Sequence, residues 1–104
     1  MAEVTWHLEA AEDLAAAAAY IGRDSPTIAA SFVRRIAMAT RRLAEYPMLG
    51  RAVPELHDAS FRELIFQNYR IVYRTIGGNV AILGVIHAAM DMERQQEVRG
   101  WELT

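Results

Sequence analysis

Apolar residues follow a helical period in the first half of the chain and a period of two in the second half. Residues 3–7 alternate well enough to predict a short first strand. Helix-spaced apolar residues then predict one helix from Leu8 to about Arg23 and another from Pro26 to about Tyr46. We expect the buried stripes to be Ala11, Leu14, Ala18 and Ile21 in the first helix and Ile28, Phe32, Ile36, Ala39 and Leu43 in the second.

Turn-forming residues indicate how the two helices are joined. Ser25 suits a helix N-cap, and Pro26 suits the first position of a helix. Pro47 and Gly50 are expected to end the second helix. Because only a short turn separates the helices, they should form an antiparallel helical hairpin.

From residue 61 onward, a period of two predicts two strands, and an unbroken apolar run predicts a third. These strands span residues 61–66, 69–75 and 80–86, with tight turns at Gln67-Asn68 and Gly77-Gly78-Asn79. The segment from Met48 to Ser60 has no periodicity and is predicted to be a loop, and the mixed tail has room for a short helix near Asp91–Arg99. The predicted fold is α+β, a helical hairpin packed on one face of an antiparallel β-sheet, in a single domain over residues 1–104.

The strand at residues 80–86 has no polar side chain, so both of its faces should be covered. Two helices of ~10 Å diameter can cover only one face of such a sheet. We therefore expect an apolar groove on the second face, filled by a partner chain; the alternative is that the polar tail folds back and closes it. Alternation places Arg70 and Arg74 beside Val72 on that face, where they could pair with a partner's carboxylates or bind phosphate.

Composition and charge exclude several classes of function. The 104 residues carry a net charge of −2, which argues against sequence-independent binding to nucleic acid. Cysteine is absent, which excludes disulfides and thiolate metal sites and fits a reducing compartment. All 11 basic side chains are arginine, which excludes chemistry that needs a lysine. Without a secretory signal or an apolar membrane span, a cytoplasmic protein is expected.

Candidate catalytic groups are few. His7, His57 and His87 lack the spacing of metal ligands, and no serine has the setting of a nucleophile, so no catalytic residue, metal or cofactor is predicted. His87 is expected to be a hydrogen-bonded structural residue, and Trp6 a core residue.

Two arginine pairs, Arg34-Arg35 and Arg41-Arg42, lie on the second predicted helix. Arg34 and Arg41 fall opposite its predicted buried stripe. A solvated helix face accounts for them, and an interaction patch is the alternative.

An ordered set of residues from Val4 to about Asp91 resembles the RelE/ParE toxins of bacterial toxin–antitoxin pairs, and more closely the ParE branch. The matching residues are Ala11, Asp13-Leu14, Tyr20-Ile21, Ala29-Ala30-Ser31-Phe32, Leu43, Pro47, Gly50-Arg51, Arg62-Glu63-Leu64, Tyr69-Arg70-Ile71-Val72-Tyr73 and Val85-Ile86-His87. The resemblance implies a helical hairpin on an antiparallel sheet. It also implies a ParD-like antitoxin whose C-terminal segment wraps the toxin, with operator DNA contacted only through that antitoxin.

The two branches of this family differ in what they do. RelE-like members cut mRNA on the ribosome with basic residues on the sheet, an arginine just after the last strand and a tyrosine near the C-terminus, whereas ParE-like members inhibit DNA gyrase. Arg62 and Arg70 match basic positions, but Met90 stands where members of both branches usually carry arginine, and no tyrosine follows Tyr73.

The resemblance therefore implies a ParE-like toxin that binds DNA gyrase and is neutralised by its cognate antitoxin. The alternatives are a ribosome-dependent mRNA endoribonuclease of RelE type and a weakly toxic or inactive member that only binds its antitoxin. We expect the antitoxin-binding residues to be Arg62, Arg70, Val72, Arg74, Leu83 and Val85, with the antitoxin's C-terminal segment covering the sheet face that bears Arg70, Val72 and Arg74.

Overall fold

Three α-helices and five strands make up residues 1–102, the part of the chain that the computed structural model describes. In chain order they are β1 (Val4–Trp6), α1 (Leu8–Gly22), α2 (Pro26–Arg41), β2 (Arg51–Ala52), β3 (Phe61–Phe66), β4 (Tyr69–Ile76), β5 (Asn79–His87) and α3 (Met92–Arg99). A 3-10 turn over Arg42–Ala44 continues α2, so the regular helix is shorter than its predicted end near Tyr46. The α+β fold is confirmed.

The strands form one sheet in the order β1-β5-β4-β3-β2. The three pairings among β2, β3, β4 and β5 are antiparallel, and β1 joins β5 in parallel, which makes the sheet mixed. The predicted loop between residues 48 and 60 contains β2, which pairs with β3 through two residues. β1 pairs with only three residues of β5, Val80 to Ile82, so the rest of that edge of β5 is left without a strand neighbour.

The helical hairpin begins and turns as its capping residues predict. The Ser25 hydroxyl accepts a hydrogen bond from the Ile28 amide at 3.2 Å, and Pro26 occupies the first position of α2. Asp91 caps α3 in the same way, accepting a bond from the Arg94 amide at 3.1 Å.

The hairpin covers one face of the sheet and forms the first core with it. Phe32, Ile36 and Leu43 are buried there, and Trp6 packs against this core while half-buried. Its sheet side consists of Ile71, Tyr73, Val80, Ile82 and Val85.

The prediction of burial is wrong for two residues of the helical stripes, Ala11 and Ile28. Ala11 is exposed, and the buried residues of α1 are Ala10 and Ala17, whose small side chains let the helix approach the sheet. Ile28 is 59% exposed because the first turn of α2 buries Ala29, which packs near Gly22 of α1, and leaves the neighbouring position outside.

The second face of the sheet is not an open groove, contrary to our expectation. Val53 and Leu56 from the segment after β2, and Met92 and Trp101 from the tail, cover it. Together with four sheet residues, Phe61, Val72, Leu83 and Ile86, they form a second core. The polar tail closes this face with only two apolar anchors, which is the alternative that the sequence left open.

A β-bulge in β5 separates two residues that alternation places together. Val72 pairs with Gly84 and Tyr73 with Ile82, so Leu83 has no partner on β4. Leu83 therefore lies in the second core, whereas Val85 lies in the first. Val85 and Arg70, which are both expected antitoxin-binding residues, therefore lie on opposite faces of the sheet.

Candidate functional site

Four charged side chains form a cluster on the second face of the sheet. The Arg70 guanidinium donates from Nε to Glu63 Oε1 at 2.6 Å, and from Nη1 and Nη2 to the two oxygens of Glu55 at 2.7 and 2.6 Å. Arg51 Nε donates to the other oxygen of Glu63 at 2.8 Å. The Glu63 side chain is fully buried, and that of Arg70 is only 10% exposed. The carboxylates that we expected a partner to supply to Arg70 come from this chain.

The cluster holds its charges in place. The hydrogen bond from Arg70 is the largest influence on Glu55 and lowers the pKa of that carboxyl below its ordinary value of 4.5. In turn, the hydrogen bonds to Glu55 and Glu63 raise the pKa of Arg70, against the opposing effect of burial. Since Arg70 uses all three of its nitrogens on these two carboxylates, it has little donor capacity left for a phosphate.

The two other predicted site arginines lie on opposite faces of the sheet. Arg74 stacks over the Phe61 ring, 4.7 Å from its centroid, and donates from Nε to Ser60 Oγ at 3.3 Å on the second face. Arg62 pairs across the sheet with Tyr73 of the first core and donates from Nη1 to the Gly50 carbonyl at 2.7 Å. Unbroken alternation along β3 turns Arg62 toward the helices, on the face opposite to Arg70.

Gly50 belongs to a tight corner next to this arginine. Its amide donates to the Tyr73 hydroxyl at 2.8 Å, and that hydroxyl donates to the Pro47 carbonyl at 2.8 Å. A Cβ at Gly50 would lie 2.5 Å from the Glu63 carbonyl oxygen, so only glycine fits there without a shift of the backbone.

The tail is fixed to the body of the protein by an aromatic contact of Trp101 and by ion pairs of Arg99. The Trp101 ring lies against Gly84, where an added Cβ would come within 3.1 Å of the ring. The Arg99 guanidinium donates to both oxygens of Asp13 on α1, at 2.7 and 3.0 Å. Asp13 also accepts from the Val85 amide at 3.0 Å, which satisfies a donor on the edge of β5 that β1 does not reach.

Sequence reasoning missed most of the groups that hold this face together. Glu55 stands in a segment without periodicity, and Trp101 in a polar tail, so neither carries a pattern that would place it. Glu63 is the exception, because alternation along β3 puts it on the same face as Phe61, opposite Arg62.

Comparison with known proteins identifies the family. Residues 4–92 match the family model described as ParE toxin of type II toxin-antitoxin system, parDE. The chain belongs to the ParE toxin family. Membership makes it the toxin component of a type II toxin–antitoxin system and implies an antitoxin partner.

Individual relatives agree with the membership in the ParE toxin family. Toxin RelE2 of Caulobacter vibrioides is 41% identical over 90 residues, which cover 86% of this chain and 98% of that protein. Putative toxin Y4kP of Sinorhizobium fredii is 42% identical over 87 residues, covering 82% and 86%. A solved structure described as a chromosomal ParDE TA system from P. aeruginosa matches the fold with a TM-score of 0.69 at 23% identity, covering 84% of this chain and 96% of that one.

The segment after β5 places Met90 and His87 at one groove of this ParE family member. Met90 is 49% exposed, and it lines a groove of about 280 Å³ with His87, Tyr69 and Arg99. His87 Nδ1 accepts a hydrogen bond from the Ala89 amide at 3.0 Å, and its ring meets Tyr69 edge-on at 5.2 Å. The expectation that His87 is hydrogen-bonded is confirmed, and that bond engages one of its two ring nitrogens.

The described part of the chain, residues 1–102, has no group of three or more His, Cys, Asp or Glu side chains that could hold a metal ion. None of its helices has the length and apolar character needed to cross a membrane.

Proposed function

We propose that this ParE-family toxin acts by binding DNA gyrase and inhibiting it, without cleaving RNA. The observation that carries the proposal is the ion-pair cluster around Arg70. Arg70 stands at a position where the resemblance places a basic residue, and two carboxylates of the same chain neutralise it.

Cleavage of RNA at a phosphodiester requires a base for the 2′-hydroxyl and positive donors for the phosphorane oxygens. Arg70 is buried and paired, and Arg62 donates to a backbone carbonyl on the opposite face of the sheet. Met90 supplies neither charge nor a proton. A fold without these groups can still inhibit an enzyme through its surface, which supports the binding mechanism.

The cognate antitoxin is the second partner in this proposal. The toxin would bind both gyrase and the antitoxin in the cytoplasm. The role in antitoxin binding that we expected for six residues stays a prediction. Val72 and Leu83 now lie beneath the tail and the segment after β2. Direct contact of these two with an antitoxin would require that cover to move.

Inducible expression of the toxin without its antitoxin tests the target. We expect induction of the SOS response in cells, and loss of supercoiling by purified gyrase on addition of purified toxin. Mapping of mRNA ends in the same cultures should show no new cleavage sites. Cleavage at ribosome-bound codons without an SOS response would overturn the proposal in favour of the endoribonuclease. Normal growth with neither signal would favour an inactive member that only binds its antitoxin.

A variant of His87 tests whether this residue has a catalytic role. His87→Gln retains a side chain that can accept the Ala89 amide, so toxicity should be unchanged. Complete loss of toxicity with an unchanged circular dichroism spectrum would show that this residue takes part in chemistry.

A further inference from the structure

The edge of β5 that extends beyond β1 is closed by groups of the same chain. Pairing with β1 ends at Ile82, whose carbonyl accepts a hydrogen bond at 2.9 Å from the amide of the residue before α1. At the far end of β5, the His87 carbonyl accepts from the Met90 amide at 2.9 Å. Between them, the Val85 amide donates to Asp13 Oδ2 at 3.0 Å. Free backbone groups on a sheet edge can pair with another strand, so these three bonds protect β5.

The bond at Val85 differs from the other two because its acceptor is a side chain. Asp13 reaches the edge from α1, on the first face of the sheet, and its two oxygens accept from Arg99 of the tail at 2.7 and 3.0 Å. The Asp13 and Arg99 side chains are only 18% and 16% exposed, so solvent weakens these charge-assisted bonds little. Arg99 therefore fixes the carboxylate in the position that closes the edge.

The position of Arg99 depends in turn on the docking of the tail against the second face. Its Nε donates to Gln95 Oε1 at 2.9 Å, and its guanidinium lies 5.9 Å from the centroid of the Trp101 ring. That ring is buried in the second core against Gly84. A continuous set of contacts thus runs from the second face, around the edge of β5, to α1 on the first face.

The tail is the part of this arrangement that can open most readily. The helix α3 has eight residues, of which Met92 is buried, and a helix of this length has little stability without its tertiary contacts. Opening of such a segment requires less free energy than unfolding of the sheet. Each opening withdraws Arg99 and leaves Asp13 free to adopt other rotamers.

We propose that Asp13 and Arg99 form a clasp around the edge of β5: docking of the tail closes this edge, and release of the tail opens it. Arg99 is a positioning residue in the clasp, because it acts on the Val85 amide through Asp13. The clasp goes beyond the proposed function and does not depend on the identity of the target. Coupling between two contacts is reciprocal, so loss of Asp13 should also loosen the tail.

Native-state hydrogen exchange, measured at single amides by NMR in the full chain, tests the clasp from the tail. Arg99→Met keeps an apolar stem and removes the guanidinium. Exchange at the Val85 amide should become about 10- to 100-fold faster, and exchange at the Trp101 amide should accelerate by the same factor. The matched control Arg94→Met removes an exposed arginine from the same helix and should change both rates by less than about twofold.

The reciprocal variant tests the clasp from α1. Asp13→Ala should accelerate exchange at the Trp101 amide by about 10- to 100-fold, although this amide donates to the Gln96 carbonyl within the tail. The matched control Glu12→Ala removes an exposed carboxylate from the same helix and should leave that rate within about twofold of wild type.

The urea dependence of exchange in the wild type separates opening of the tail from unfolding of the sheet. Val85 should share the weak urea dependence of Trp101, because opening of the tail exposes little surface. Ile71, which pairs with strands on both sides, should exchange through global unfolding with a steep urea dependence.

Two results would overturn the clasp. One is faster exchange at Trp101 but unchanged exchange at Val85 in Arg99→Met, since the tail would then open without freeing the edge. The other is a wild-type Val85 amide that follows the urea dependence of Ile71, since the edge would then open only when the sheet unfolds.

Discussion

Phe32 and Ile28 are four residues apart on α2 but have opposite environments. Phe32 is 2% exposed, and its ring lies 5.6 Å from that of Phe66 and 5.3 Å from that of Tyr69. Phe32→Ala should therefore lower the free energy of unfolding by ~3–5 kcal/mol, through lost burial and the cavity that remains. Ile28→Ala, at a position that is 59% exposed, should change it by less than ~0.5 kcal/mol. Urea unfolding of both variants checks the pair, and equal losses would mean that α2 is rotated relative to the sheet.

Variants of Arg70 and Glu63 test whether the buried ion pair adds to the free energy of unfolding, or whether removal of one partner is harmful only because it leaves the other charge buried and unpaired. Arg70→Met leaves the fully buried carboxylate of Glu63 with Arg51 alone, and should cost ~3–5 kcal/mol of folding free energy. Glu63→Leu/Arg70→Met removes both charges from the interior, and should cost less than the single change at Arg70. Chemical denaturation of wild type, the single variants and the double variant completes the cycle. A double variant that loses the sum of the two single losses would show that the two side chains act independently.

The attachment of the segment after β2 should depend on pH through Glu55. Glu55 anchors it to Arg70, and that contact lowers the pKa of Glu55 below 4.5 in the folded protein. A carboxyl with a lowered folded-state pKa stabilises the protein above its unfolded pKa, and this contribution is lost as pH falls through the folded value.

Glu55→Gln should accordingly melt at a lower temperature than wild type at neutral pH. The difference between the two melting temperatures should shrink as pH falls below about 4.5, where Glu55 of the unfolded chain becomes protonated, and should disappear once pH has passed the lower pKa of Glu55 in the folded protein. Thermal melts from pH 7 to pH 3 provide the measurement. A gap of constant size over that range would mean that Glu55 contributes through packing and not through charge.

The helices and strands were largely predictable because their periodicity is a local property. The start of α2 follows from the local preferences of Ser25 and Pro26, and the strands β3 to β5 follow from the apolar pattern of their own residues. The bulge at Leu83 was not predictable, because it arises from the pairing of β5 with β4 and shifts the faces of residues beyond it. As a result, alternation alone grouped Leu83 with Val85.

The prediction of an open second face was wrong for a different reason. It rested on area, because two helices cover only one face of the sheet and a polar tail offers little apolar surface to cover the other. The contact depends instead on the fit of one ring, that of Trp101, over a glycine, Gly84. Such a fit joins residues 17 positions apart and leaves no periodic signal in either segment. For the cluster around Arg70, alternation correctly predicted the sheet face of the arginine. The prediction that a partner supplies its carboxylates was wrong, because Glu55 and Glu63 of the same chain supply them.

At the scale of the molecule, the sheet separates two cores of different origin. The first core is built from a helical hairpin that is continuous in sequence, and the second from short segments at the middle and end of the chain. The arginines are divided between paired and exposed positions, since Arg70 and Arg99 form ion pairs within the chain whereas Arg35, Arg41 and Arg42 are exposed.

The two tryptophans of the chain lie on opposite sides of the sheet, and this gives the protein two built-in optical probes. Trp6 packs against the first core, and Trp101 is 7% exposed within the second. In Trp6→Phe the fluorescence comes from Trp101 alone, and in Trp101→Phe from Trp6 alone. Because α3 has only eight residues and buries only Met92, the tail should open locally before the sheet unfolds. In Trp6→Phe, the Trp101 signal should therefore change at a lower urea concentration than the far-ultraviolet circular dichroism. In Trp101→Phe, the Trp6 signal and the circular dichroism should change at the same urea concentration. Superimposable curves in both variants would mean that a single cooperative transition includes the tail, and that emission from either indole reports the stability of the whole fold.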